Sequence, residues 1–198
     1  MNFYLADTHW GHKNCMAFDN RPFSSVEEND QVLISNWNDA VNIDDDVYIL
    51  GDLSWHNVTT TIEILKSLNG NKHLLVGNHD GRFLKNKDFR DCFVEITYYK
   101  ELDLGGGKKL ILSHYPMPFF NGQFMGNWHF YGHVHNSQQW NMIENLKRIQ
   151  EEERGAGTCD MLNVGVMMEY MKYTPRTFNE VIDGYEKYRD KMIMMQGD

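Results

Sequence analysis

Residues 72–80 read Lys-His-Leu-Leu-Val-Gly-Asn-His-Asp (KHLLVGNHD), a short apolar run that stops at a glycine and then presents an amide, an imidazole and a carboxylate. A run of this length with glycine at its end reads as a buried strand whose last residues enter a loop. The same grammar occurs four more times, in NFYLADTH (2–9), DVYILGD (46–52), KLILSHYP (109–116) and WHFYGHVH (128–135). Each run ends at side chains able to bind metals, and open α/β sheets place their sites outside such carboxyl ends.

The intervals between the runs complete the fold class. Ser24 or Ser25 can cap a helix over Val26–Ala40, with Glu28 closing a capping box and Val32, Leu33, Trp37 and Val41 forming its apolar face. A second helix is predicted over Thr59–Leu68, ending at Asn69-Gly70. The opening is therefore β-α-β-α-β with a parallel sheet. Beyond residue 80, predicted strands at 93–96, 98–104 and 108–112, with Gly105-Gly106-Gly107 as a turn, suggest a second sheet rich in hairpins. Residues 138–154 read as a charged, solvated helix carrying Glu151-Glu152-Glu153; a last strand is predicted at 161–167 and a terminal helix at 177–191. With 198 residues, no repeat and no low-complexity linker, residues 1–198 are read as one α/β domain.

Charge and cysteine usage narrow the partners. Lys and Arg number 19 against 28 Asp and Glu, a net of −9 without a basic cluster, which argues against duplex nucleic acid. Cys15, Cys92 and Cys159 form no C-x-x-C pair, the N-terminus lacks a basic-apolar leader, and no stretch is long enough to span a membrane. The expected compartment is the cytoplasm.

Taken singly, the polar residues have ordinary explanations. Asp7-Thr8-His9 can be a helix cap, Gly51-Asp52 a turn, Asn78 a left-handed turn residue and His114 a core histidine. Taken together they end five runs with imidazole, carboxylate and amide donors, the set that suits divalent cations. Two cations held close together need a bridging anion, and Asp52 is the candidate. In Gly132-His133-Val134-His135 the two histidines are two apart, so they cannot form a helical pair.

In order, Asp7-Thr8-His9, Gly51-Asp52, Gly77-Asn78-His79-Asp80, His114 and Gly132-His133-Val134-His135 resemble the signature of the calcineurin-like metallophosphoesterase superfamily, in particular its small single-domain bacterial, archaeal and phage members. Trp10-Gly11-His12-Lys13-Asn14 and Asn163-Val164-Gly165-Val166 extend the resemblance. It implies a four-layer α/β/β/α sandwich with two central mixed β-sheets. It also implies that Asp7, His9 and His135 hold one metal, Asn78, His114 and His133 a second, and Asp52 both. His79 would stand beside the substrate phosphate, oriented by Asp80. Many members follow the bridging Gly-Asp with an Asn/Asp-Arg element, whereas this chain continues Leu53-Ser54-Trp55-His56, so His12, Asn14 and Arg21 are the alternative substrate contacts.

The expected function is a dinuclear metal-dependent phosphoesterase that hydrolyses phosphodiester or phosphomonoester bonds of a small phosphorylated substrate, nucleotide-derived ones among the candidates, by in-line attack of a metal-bridging hydroxide. Manganese leads the expected metals, with Fe, Ni, Co and Zn also suited to the donors. A nuclease and a catalytically silent binding protein of the same fold are the alternatives. Gly-x-Ser-x-Gly, P-loop and Rossmann fingerprints are absent.

Overall fold

A computed structural model describes residues 1–155, 157 and 159–196. The chain runs β1 (Asn2–Leu5), α1 (Lys13–Phe18), α2 (Val26–Ala40), β2 (Asp46–Ile49), α3 (Val58–Ser67), β3 (Asn71–Leu75), α4 (Lys87–Arg90), β4 (Glu95–Thr97), β5 (Tyr99–Gly105), β6 (Lys108–Ser113), β7 (Trp128–Tyr131), α5 (Gln138–Arg154), β8 (Met161–Asn163), β9 (Arg176–Thr177) and α6 (Phe178–Gln196). All five apolar runs are strands. The strands form two mixed sheets, ordered β4-β3-β2-β1-β9 and β5-β6-β7-β8, and helices flank them in a layered α/β sandwich.

Local chemistry accounts for the crossovers. Ser25 caps α2 by accepting from the Glu28 N–H at 3.1 Å, while the Glu28 carboxylate accepts from the Ser24 N–H at 2.7 Å. The inward face of α2 buries Leu33 and Trp37, and the Trp37 indole donates to the Asn69 carbonyl at 3.0 Å. Removing such a side chain from water contributes about 1.5–3 kcal/mol. Asn57 caps α3 by accepting from the Thr60 N–H. Both helices therefore return the chain to the same edge, and β1, β2, β3 and β4 run parallel.

The two sheets share one core. Tyr4 of β1 meets Phe130 of β7 edge-on with ring centroids 5.3 Å apart, and Phe130 stacks on Phe178 at the start of α6. At the carboxyl ends the sheets touch directly: the Ala6 N–H donates to the Val164 carbonyl and the Val166 N–H to the Ala6 carbonyl. This exchange shortens the strand predicted at 161–167, because residues after Val164 leave β7 and pair with the end of β1.

Three further expectations change. The strand near 93–96 belongs to the first sheet: β4 lies parallel to β3, with His73 opposite Glu95, so among the described residues the 99–113 hairpin is the one antiparallel pair of the second sheet. Helix α5 is not merely solvated, since it buries Lys147 and Gln150 and the Lys147 ammonium donates to Glu144 and to the Tyr185 hydroxyl of α6. Helix α6 extends beyond the predicted residue 191 to Gln196.

Parallel order sends the ends of β1, β2 and β3 to one edge, and those of β6 and β7 to the adjoining edge. Glycines allow the loops there to close. Gly51 has φ 84°, and a Cβ on it would lie 2.6 Å from both the Gly77 Cα and the His114 Nδ1; a Cβ on Gly132 would lie 2.6 Å from that of Ala6. Gly51→Ala is expected to destabilise the metal-free chain by about 2–4 kcal/mol, combining left-handed strain with overpacking. Urea unfolding checks this, and a midpoint equal to the parent's would show that the loops can separate at little cost.

Candidate metal centre

Five of the seven expected ligands adopt left-handed backbone: Asp7 (φ 57°), His9 (51°), Asp52 (54°), His133 (70°) and His135 (50°). Side chains other than glycine seldom adopt this conformation, and it gathers at functional sites where surrounding contacts enforce it. The enforcing contacts are visible. The His133 N–H donates to the Asp7 carboxylate at 3.0 and 3.2 Å, the His79 N–H donates to Asp52 Oδ1 at 2.9 Å, and the N–H groups of Asp7 and His9 donate to the carbonyls of Gly51 and Asp52.

These turns bring the seven side chains together as two adjacent groups. Asp7, His9 and His135 form one, and Asp52, His114 and His133 the other, and each group could hold a metal ion. In the first, His9 Nε2 and His135 Nε2 are 3.1 Å apart, and His135 Nε2 lies 3.9 Å from Asp7 Oδ1. In the second, Asn78 Oδ1 is 2.9 Å from His114 Nε2 and 3.0 Å from His133 Nδ1. Asp52 Oδ2 lies between the groups, 3.9 Å from His9 Nε2 and 3.7 Å from His114 Nε2.

Donors bound to one cation at roughly 2.0–2.2 Å lie about 3.0–3.6 Å from each other in octahedral or tetrahedral coordination. The closest separations fall at that edge length, and the others are slightly wider. The electrostatics agree. Burial pushes the Asp7 carboxyl up to about 7, against the pull of His135, and raises Asp52 as well, so two carboxylates stand at a site short of positive charge. Burial lowers His9, His114 and His133, which keeps their imidazoles neutral with a lone pair free to coordinate. His135 differs: burial lowers it too, but Asp7 and Asp19 outweigh that and raise it. The residues present fit divalent cations.

The other expected site residues divide. His79 is half exposed, with Nε2 3.9 Å from Asp52 Oδ2 and its ring 4.4 Å from Trp55, at the mouth of an open cleft of ≈390 Å³. His12 stacks on Trp55 (3.9 Å, 4°), and His12 and Asn14 both line that cleft. Two expectations are corrected. Arg21 is not a substrate contact: it is buried, and its guanidinium donates to the Asp7 and Thr8 carbonyls, Asn29 and Asp19. Asp80 does not orient His79 through a hydrogen bond among the described residues. Its carboxylate instead accepts from the N–H groups of Gly77, Asp52 and Leu53 at 2.8–3.0 Å, tying the loop after β3 to the loop after β2. A carboxylate three residues beyond the glycine that ends a strand can turn back on that glycine, and a sequence alone cannot distinguish this from an outward orientation.

Sequence reasoning missed Asp19, whose carboxylate reaches His135 Nδ1 at 2.7 Å; Phe18 and Trp55 complete the cleft wall. The one local signal was Asn20, a residue type that ends helices in left-handed conformation; at φ 52° it turns the chain after α1.

No protein-family model matches the sequence. Over 187 residues the chain is 32% identical to the uncharacterized protein MJ1445 of Methanocaldococcus jannaschii, covering 93% of this chain and 91% of that protein. The chain belongs to the MJ1445 family. The gene 66 protein of Mycobacterium phage L5 is 32% identical over 130 residues, 58% of this chain and 62% of the phage protein. Among solved structures, AQ665 of Aquifex aeolicus, described as a protein of unknown function, superposes with a TM-score of 0.67 at 25% identity, covering 92% of this chain and 98% of AQ665. The layered sandwich of this MJ1445-family chain thus has a counterpart in a solved structure.

Asp80→Asn keeps the shape of the carboxylate but turns an N–H₂ towards backbone donors. It is expected to destabilise the metal-free chain by about 3 kcal/mol, as buried charge-assisted hydrogen bonds are lost and a donor is left facing donors. A chemical denaturation midpoint like the parent's would remove Asp80 from this tethering role.

Proposed function

We propose that the chain is a metal-dependent phosphoesterase that hydrolyses small phosphodiesters or phosphomonoesters, as its resemblance to the calcineurin-like metallophosphoesterases implies. The carrying observation is the convergence of six nitrogen and oxygen donors in two groups beside Asp52, with the exposed His79 imidazole next to them. Asp7, His9 and His135 would hold one divalent ion, Asn78, His114 and His133 the other, and Asp52 would face both. Two such ions, manganese first among those suited to the donors, supply Lewis acidity towards a phosphoryl oxygen and a more acidic water.

The chain's own residues do the rest. The Asp52 and Asp80 hydrogen bonds fix the Asn78-His79 backbone, so the His79 ring is presented from a rigid turn. Its Nε2 can donate a proton to the oxygen leaving phosphorus. Trp55, packed against His79 and His12, restricts the room in which both rings move. No Lys or Arg lines the cleft among the described residues, which suits a small substrate with one reacting phosphate better than a polyanion held along its backbone. No helix among the described residues is long and apolar enough to cross a membrane.

The chelator-treated chain is expected to regain hydrolysis of bis-p-nitrophenyl or p-nitrophenyl phosphate on adding Mn²⁺ and to take up two ions. Asp52→Ala should lower metal content more than loss of any other ligand. Failure of every divalent metal to restore turnover of any phosphoester in a broad panel would end this reading.

His79→Ala should keep both ions while kcat falls by about 10²- to 10⁴-fold on an alkyl ester, with a smaller loss on a p-nitrophenyl ester whose leaving group needs little protonation. Loss of metal from this variant, or unchanged turnover of both esters, would remove His79 from that role.

A further inference from the structure

Asp19 belongs to neither donor group, yet it is buried, with its carboxylate divided between a ligand and the frame behind the ligands. Its Oδ1 lies 2.7 Å from His135 Nδ1, the ring nitrogen remote from the one facing His9 and Asp7. Its Oδ2 accepts from Arg21 Nε and lies 3.0 Å from Arg21 Nη2. Arg21 in turn donates to the carbonyls of Asp7 (Nη2, 2.9 Å) and Thr8 (Nη1, 2.9 Å). The Asp19 carbonyl also accepts from the Asn136 side chain, next to His135. One carboxylate therefore ties together the two segments, more than 120 residues apart in the chain, that supply Asp7, His9 and His135.

Imidazole coordinates through one nitrogen only when the other is the protonated one, and a carboxylate on the far nitrogen both fixes that tautomer and increases the ring's basicity. All three residues of this group also have φ near +50°, and Arg21 restrains the carbonyl of one of them, Asp7. The second group is supported differently: His114 Nδ1 meets the neutral Leu50 carbonyl at 2.7 Å.

We propose that Asp19 is a positioning residue for the ion held by Asp7, His9 and His135 alone, holding His135 with Nδ1 protonated and Nε2 free and, through Arg21, preforming that group before an ion arrives. The proposal rests on reading this group as a metal site.

Calorimetric Mn²⁺ titration of the full, chelator-treated chain tests it, with His135→Ala and His133→Ala as references for the two groups. Asp19→Asn is expected to weaken by about 10- to 100-fold the binding step that His135→Ala removes, and to leave the step that His133→Ala removes within about threefold. Two steps like the parent's would overturn the proposal. So would equal weakening of both steps together with a lower unfolding midpoint of the metal-free variant, the outcome expected if Asp19 only supports the fold. A parent chain that binds no Mn²⁺, Zn²⁺, Ni²⁺ or Co²⁺ overturns the metal reading and this proposal with it, an outcome distinct from failure in the variant alone. A readout on the parent needs no variant to fold: nitrogen-15 spectra of the Zn²⁺-loaded chain should show His135 protonated at Nδ1, with that N–H protected from exchange. An unprotonated or freely exchanging Nδ1 would overturn it.

Discussion

Left-handed backbone at Asp7, His9, Asp52, His133 and His135 is the constraint on which the remainder of the site depends. Each such residue costs roughly 1–2 kcal/mol, which together is comparable with the net stability of a small domain. The conformation persists because fixed groups surround it. Asp7 receives the His133 N–H on its carboxylate and gives its own N–H to Gly51, Arg21 restrains the Asp7 and Thr8 carbonyls, Asp80 receives the Asp52 N–H, and Asn163 donates to the His135 carbonyl. Strain and support together present imidazole, carboxylate and amide donors to a common space.

That space exists because two sheets, each with strands in parallel, meet at their carboxyl ends. The Ala6 hydrogen bonds to Val164 and Val166 join them, and the Tyr4–Phe130 contact fills the core beneath. Candidate ligands after β1, β2 and β3 then face those after β6 and β7 across the seam. The seam explains why glycines occur where they do: at Gly51 and Gly132 a single methyl group would push one ligand loop away from another.

An acidic chain is a reasonable host for such a site. Burial raises Asp7 and Asp52 against the pull of neighbouring histidines, and bound metal charge would offset that burial. The absence of Lys and Arg from the described cleft wall leaves the aromatic rings of Phe18, Trp55 and His12 to shape the approach. Phosphate recognition would then depend on the metals and His79, which suits small esters in the proposed reaction. In this chain the loop after β1 supports one of the two donor groups, through Asp19 and Arg21, and also bounds the cleft.

Much of this was legible in residues taken in order. Apolar runs cut off by Gly or Ser fix strand positions, because burial on both faces demands continuous hydrophobicity. Ser25 with Glu28 marks the start of α2 through the N–H groups they satisfy. The donor types at the run ends name residues that could hold a cation. Pairing beyond immediate neighbours was not legible: β4 joined the first sheet and residues 164–166 crossed to Ala6, since a strand's partner is set by which edge the rest of the fold leaves open. Nor were the duties of Asp19, Arg21 and Asp80, whose residue types suited substrate contact or His79 orientation equally well. Sequence by itself determined which elements form and which atoms can bind a cation, because backbone hydrogen bonding and ligand chemistry are local properties of residue type. Only the tertiary structure decided which carboxylate faces the cleft and which holds the frame behind it, because that depends on the distances between backbone groups far apart in the chain.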